Sequence, residues 1–108
     1  MSFRVIISQQ AEEDIRGIYE YIAFDLHSVK NAVGQINRLE KEILSLDQMP
    51  NRFALYKSEP WRSRNLRVMP VDNYLVFYIP DIDKEIVSVL RVMYGGRDVA
   101  AQLGRGDD

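Results

Sequence analysis

The sequence predicts an α+β fold in the order β-α-α-β-β-β, with a helical hairpin packed on one face of a small, mainly antiparallel sheet. Three observations carry that prediction. Residues 11 to 46 hold two successive apolar stripes at spacings of three and four, the mark of amphipathic helices. From residue 65 the apolar period changes to two, in three runs parted by Asp- and Asn-bearing turns. At 108 residues the chain is long enough for one hydrophobic core and too short for a second.

Each element has a local reason. Phe3-Arg4-Val5-Ile6-Ile7 is a β-branched run and reads as a first strand. Ser8 suits a helix N-cap, and Glu12, Glu13 and Asp14 follow where the helix dipole favours negative charge. Ala11, Ile15, Ile18, Tyr19, Ile22 and Leu26 make one apolar face of a helix to about Leu26. Ser28 can cap a second helix, whose stripe is Val29, Ala32, Val33, Ile36, Leu39, Ile43 and Leu46. A short connection between two such helices implies an antiparallel hairpin. Periodicity fails from Asp47 to Pro60, and strands are expected at 65–69, 74–79 and 85–93. The domain is expected to occupy 1–98, with a frayed tail over 99–108 that carries Gly104.

Composition narrows the function. There are no cysteines, which excludes a disulfide framework and a cysteine nucleophile and fits a cytoplasmic protein. One histidine, His27, and no cysteine leave no structural zinc site, and no cofactor motif is present. No apolar run nears the roughly 20 residues that span a bilayer, so no membrane is expected. A net charge of −2 is mildly unfavourable to nucleic-acid binding. The stretch 52–67 is nonetheless basic, with Arg52, Lys57, Arg62, Arg64 and Arg67 against Glu59 alone. It reads equally as a solvated loop and strand edge or as a binding segment.

Four strings together resemble the RelE/ParE toxin superfamily. They are Ala11-Glu12-Glu13-Asp14-Ile15 with Ile18-Tyr19-Glu20-Tyr21-Ile22-Ala23, then Leu46-Asp47-Gln48-Met49-Pro50, then Arg67 through Tyr78, then Leu90 through Asp98. The resemblance runs from about Phe3 to Asp98. It implies a growth-inhibiting toxin of a type II toxin–antitoxin pair, neutralised by a cognate antitoxin that wraps it with a helix and an extended segment. Two activities go with the fold: ParE-like poisoning of DNA gyrase by protein contact, and RelE-like cleavage of mRNA on the translating ribosome. A third reading is an antitoxin-binding module that is no longer toxic.

Strand alternation divides the expected sheet. With Leu66, Val68, Tyr74, Val76, Tyr78, Leu90 and Val92 turned to the helices, the open face would hold Asn65, Arg67, Met69, Leu75, Phe77, Arg91 and Met93. RNA cleavage by a 2′-hydroxyl needs proton transfer and cations at the phosphorane. Arg67, Arg91, Arg97 and Tyr94 are the candidates for that chemistry. The resemblance places Leu75 where RelE-like nucleases carry an arginine, which counts against it. Tyr94 also reads as an amphipathic residue closing the core with its hydroxyl in water. Gly95-Gly96 could form an anion nest or simply end the strand. The alternative use of this face is protein binding, to antitoxin or target, through Trp61, Arg64, Asn65, Arg67, Met69, Leu75, Phe77, Arg91 and Met93. Trp61 reads first as a lid on the core. These features favour the ParE-like branch.

Overall fold

A computed structural model describes residues 2–96 and 98–104 of the chain. The elements run β1 (Arg4–Ile7), α1 (Gln9–Glu20), α2 (Val29–Leu44), β2 (Arg67–Val71), β3 (Tyr74–Asp81), β4 (Ile86–Tyr94) and α3 (Val99–Leu103). The strands form one sheet in the order β1-β4-β3-β2. β1 lies parallel to β4, and the other pairs are antiparallel. The expected α+β order therefore holds, with α3 added behind it.

Both helix starts follow the serine caps. The Ser8 hydroxyl accepts from the Ala11 amide at 3.0 Å, and Ser28 does the same for Asn31 at 3.3 Å. The first helix does not run as an α-helix to Leu26. It widens into a π-helical turn over Tyr21–Asp25, and His27 at φ 56° redirects the chain. This turn carries Leu26 out of the expected stripe into solvent. On α2 the inner stripe is Ala32, Gln35, Leu39 and Ile43; Val29 and Val33, placed inside by the sequence reading, are exposed. Gln35 is tolerated inside because its amide donates to Asp72 at 3.0 Å.

The helices, with Phe3 and Leu46, cover one face of the sheet through Met69, Val71, Tyr74, Val76, Tyr78, Val87, Val89 and Val92. This corrects the expected division of the strands. The two-residue turn at Asp72-Asn73 sets Val71 opposite Tyr74, so Met69 opposes Val76 and Val68 opposes Phe77. Opposed residues share a face, so Met69 turns to the helices while Leu66 and Val68 turn away. On β4 the register shifts between Phe77 and Tyr78, which face Arg91 and Val89. Leu90 is the extra residue of that bulge and packs on the far face.

The far face is not open. Leu66, Phe77 and Met93 are buried there beneath Tyr56, Trp61, Val99 and Leu103. Residues 99–103, expected to fray, instead form α3, capped by an Asp98 carboxylate that accepts from the Ala101 amide at 3.2 Å. The aperiodic 47–60 stretch is also ordered, with a 3₁₀ turn at Pro50–Arg52 and an antiparallel bridge from Leu55 to Arg67. No helix among the described residues is long and apolar enough to cross a membrane.

Candidate functional site

Of the three arginines expected to serve chemistry, Arg67 and Arg91 are both engaged inside the fold. Arg91 sits on β4 beside α1, where its Nε donates to Asp14 Oδ2 at 2.8 Å and a terminal nitrogen donates to Asp14 Oδ1 at 3.0 Å. The second terminal nitrogen donates to the Gln102 carbonyl of α3 at 3.0 Å. Asp14 Oδ2 also accepts the Val92 amide at 2.9 Å, so one carboxylate serves strand and side chain together. Both side chains are largely shielded, and the bond to Asp14 raises the Arg91 pKa above its ordinary value. Asp14, which the sequence reads with Glu12 and Glu13 as an acid favoured near the helix N-terminus, is also the joint between α1 and β4.

Arg67 is occupied differently. One terminal nitrogen donates to the Phe53 carbonyl at 2.7 Å and to the Asn51 carbonyl at 3.2 Å, tying the 50–53 turn to β2. Its buried Nε has no hydrogen-bond partner among the described residues. Opposite it, the Tyr78 hydroxyl donates to the Pro50 carbonyl at 2.6 Å, and burial pushes the Tyr78 pKa up to about 12.

The other sequence-predicted residues scatter. Met69 lies in the helix-side core, while Phe77 and Met93 are buried on the far face with Leu75 half-buried beside them. They make no open apolar surface, because residues 55–66 and α3 cover them. Asn65, at φ 66°, donates to the Pro80 carbonyl at 3.2 Å. Trp61 packs on the same cluster and donates to the Gly104 carbonyl at 3.3 Å, with the Arg64 guanidinium 5.4 Å from its ring. Tyr94 is half exposed, its ring edge-on to Tyr74 at 6.0 Å. Gly95 donates to the Asn73 carbonyl at 2.9 Å in the strand-ending turn. A Cβ at Gly96 would lie 2.5 Å from the Tyr94 ring, so glycine there lets that ring fold back. Arg97 lies outside the described residues.

The accessible surface that sequence reasoning missed lies around the helical hairpin. A groove of about 1130 Å³ runs between α1, α2 and the ends of β3 and β4, lined by Gly17, Tyr21, Gly34, Arg38, Tyr74 and Tyr94 among others. Glycine inside a helix costs about 1 kcal/mol against alanine. A Cβ at Gly17 would meet nothing within 4 Å, and one at Gly34 only an Arg38 nitrogen at 3.4 Å. Packing within the chain therefore does not demand either glycine; both keep the groove wide. They were the one signal in the sequence that could have located it. Arg38 is held at its edge by Asp72 at 2.7 Å, and that bond lowers the Asp72 pKa. Tyr21, Phe24, Leu26, Val29 and Val33 are exposed around the hairpin elbow. Among the described residues no cluster of three or more His, Asp or Glu side chains could hold a metal ion.

A two-helix hairpin on a mixed sheet, with a groove beside it, defines a class of small helix-on-sheet domains. The model of the ParE toxin of the type II toxin–antitoxin system parDE matches residues 5–99, and the chain belongs to that family. Among solved structures, a chain of the chromosomal ParDE system of P. aeruginosa superposes with a TM-score of 0.70 at 17% identity, covering 86% of this chain and 96% of that one. A chain of the RelBE2 toxin–antitoxin complex of Mycobacterium tuberculosis gives 0.65 at 16% identity, covering 87% and 99%. A mutant of E. coli toxin RelE in the free state gives 0.65 at 13% identity, covering 94% and 93%. Identities this low show a shared fold, and that fold appears under both ParE and RelE names. No curated protein matches the sequence.

Proposed function

We propose that this chain is the toxin of a type II pair and acts as ParE-like toxins do, by protein contact with DNA gyrase, under the control of a cognate antitoxin. The observation that carries the choice of branch is the engagement of Arg67 and Arg91. A nuclease needs cations free to meet a phosphorane, and these two guanidiniums are committed to loop carbonyls and to Asp14. Leu75 adds no charge to the same sheet. Surface apolar side chains at the hairpin elbow and a wide groove suit a protein partner.

The competing reading, ribosome-dependent mRNA cleavage, draws on Tyr94, half exposed at the end of β4. Pulse-labelling of DNA and protein synthesis after induction without antitoxin separates the two. An early fall in DNA synthesis with translation continuing is expected. An early fall in translation, abolished by Tyr94→Phe, overturns the gyrase reading. Tight antitoxin binding with neither fall leaves the chain a non-toxic binding module.

A further inference from the structure

The short helix α3 cannot hold itself. Isolated helices of fewer than about 12 residues are not stable in water, and α3 has five, none of them fully buried. Among the described residues its attachments are the Asp98 cap, the packing of Val99 and Leu103 on the far-face cluster, and two bonds to its last carbonyls. Trp61 donates to Gly104 and Arg91 donates to Gln102. The cover does not seal. A largely apolar slot of about 510 Å³ stays open between residues 55–57 and Val99, lined by Val68, Leu75 and Phe77.

One of these attachments is aimed from the other side of the molecule. β1 ends opposite Val89, so β4 runs on past it with an open edge. Asp14 of α1 fills that gap, accepting the Val92 amide together with the Arg91 Nε and one terminal nitrogen. A guanidinium is planar and rigid, so fixing two of its nitrogens aims the third. That third nitrogen meets the Gln102 carbonyl at 3.0 Å. Asp14, Arg91 and Gln102 all line the groove beside the hairpin, whereas Leu66, Phe77 and Met93 lie on the far face. We propose that Arg91 couples the groove to the far face, and that α3 is a strap whose closure depends on Asp14, a side chain with which it makes no hydrogen bond. Without the Asp14 charge, Arg91 swings free and the strap loses an aimed donor. Coupling of this kind is reciprocal. Whatever draws on the Asp14 carboxylate from the groove loosens α3, and release of α3 changes the groove wall at Arg91. The device belongs to the chain itself and holds whichever target the toxin poisons.

The test is amide exchange in the full chain, with acrylamide quenching of Trp61, the chain's single tryptophan, as a second report on the strap. Asp14→Asn keeps an acceptor for the Val92 amide and loses the charge. Arg91→Lys keeps the charge and loses the planar fork. Each is expected to quicken exchange of the Gln102 and Gly104 amides by about tenfold and to raise quenching of Trp61. The double variant should go no further than Arg91→Lys alone, because Asp14 acts through Arg91. Gln102→Ala should change nothing, since its main-chain carbonyl is the acceptor. Ile43→Val weakens the helix-side core without touching Arg91, and should leave α3 exchange as it is. Circular dichroism checks that each variant is folded. Four results overturn the proposal: free exchange of α3 in the wild type, no response to Asp14→Asn, additive effects in the double variant, or an Ile43→Val response as large as that of Asp14→Asn.

Discussion

The two faces of the sheet are both apolar, but unlike material covers them. On one face, α1 and α2 lay down side chains at helical spacing, and Leu39, Ile43, Val76 and Tyr78 are fully buried. On the other, an irregular segment over 55–66 and the five residues of α3 cover Leu66, Phe77 and Met93. The first cover is two long elements that anchor each other. The second is tied down by separate local contacts, among them the Leu55–Arg67 bridge, the Asn65 bond to Pro80, the Trp61 bond to Gly104 and the Arg91 bond to Gln102. Burial on the two faces is similar for the innermost side chains, so the difference lies in what holds the cover down.

Four substitutions probe that difference, read as unfolding free energies in denaturant. Leu39→Ala, under the helical cover, should cost about 3–4 kcal/mol, because two packed helices collapse poorly onto a cavity. Asp14→Ala should cost about 3 kcal/mol, since it leaves Arg91 charged and shielded without its partner; a loss no larger than that of an exposed alanine substitution would refute the joint. Tyr78→Phe should cost about 1 kcal/mol by removing the donor to Pro50. It should also change the alkaline limb of stability. Tyr78 titrates near 10.0 when unfolded and about 12 when folded, so the folded state holds this proton more tightly. Wild-type stability should fall as pH rises through that window, and the phenylalanine variant should lose the larger part of that dependence, the rest coming from Tyr74, whose pKa burial also raises. Leu103→Ala, on the lighter cover, should cost about 1 kcal/mol or less. Amide exchange in α3 should quicken while that of α2 stays slow.

The same contrast explains what the sequence disclosed. Helices, caps and strands were legible because Ser8, Ser28 and the switch from helical to alternating period are local signals. The face assigned to β2 was misread because Leu66, Val68, Met69 and Val71 offer apolar side chains in both parities. The two-residue Asp72-Asn73 turn decides between them, and it was present in the sequence. The bulge at Leu90 has no comparable local mark. The second cover was invisible because an aperiodic segment and a one-turn helix leave no period to detect. At the candidate site, Arg67 and Arg91 looked free because their partners, Phe53, Asn51 and Asp14, are set by tertiary structure. Gly17 and Gly34, by contrast, could have been read as helix positions kept small for space.

The Asp14–Arg91 joint also bears on how the toxin is made. Its partners are 77 positions apart, and β1 finds its place in the sheet only beside β4. A chain emerging from the ribosome therefore carries its first strand and helical hairpin long before the strand that receives them exists. Until β4 is made the sheet cannot close and the inner faces of α1 and α2 lack the strand that joins β1 to the rest. The sheet closes and the helical hairpin gains its full floor only once β4 has been made, so a message cut before β4 yields no copy of this fold.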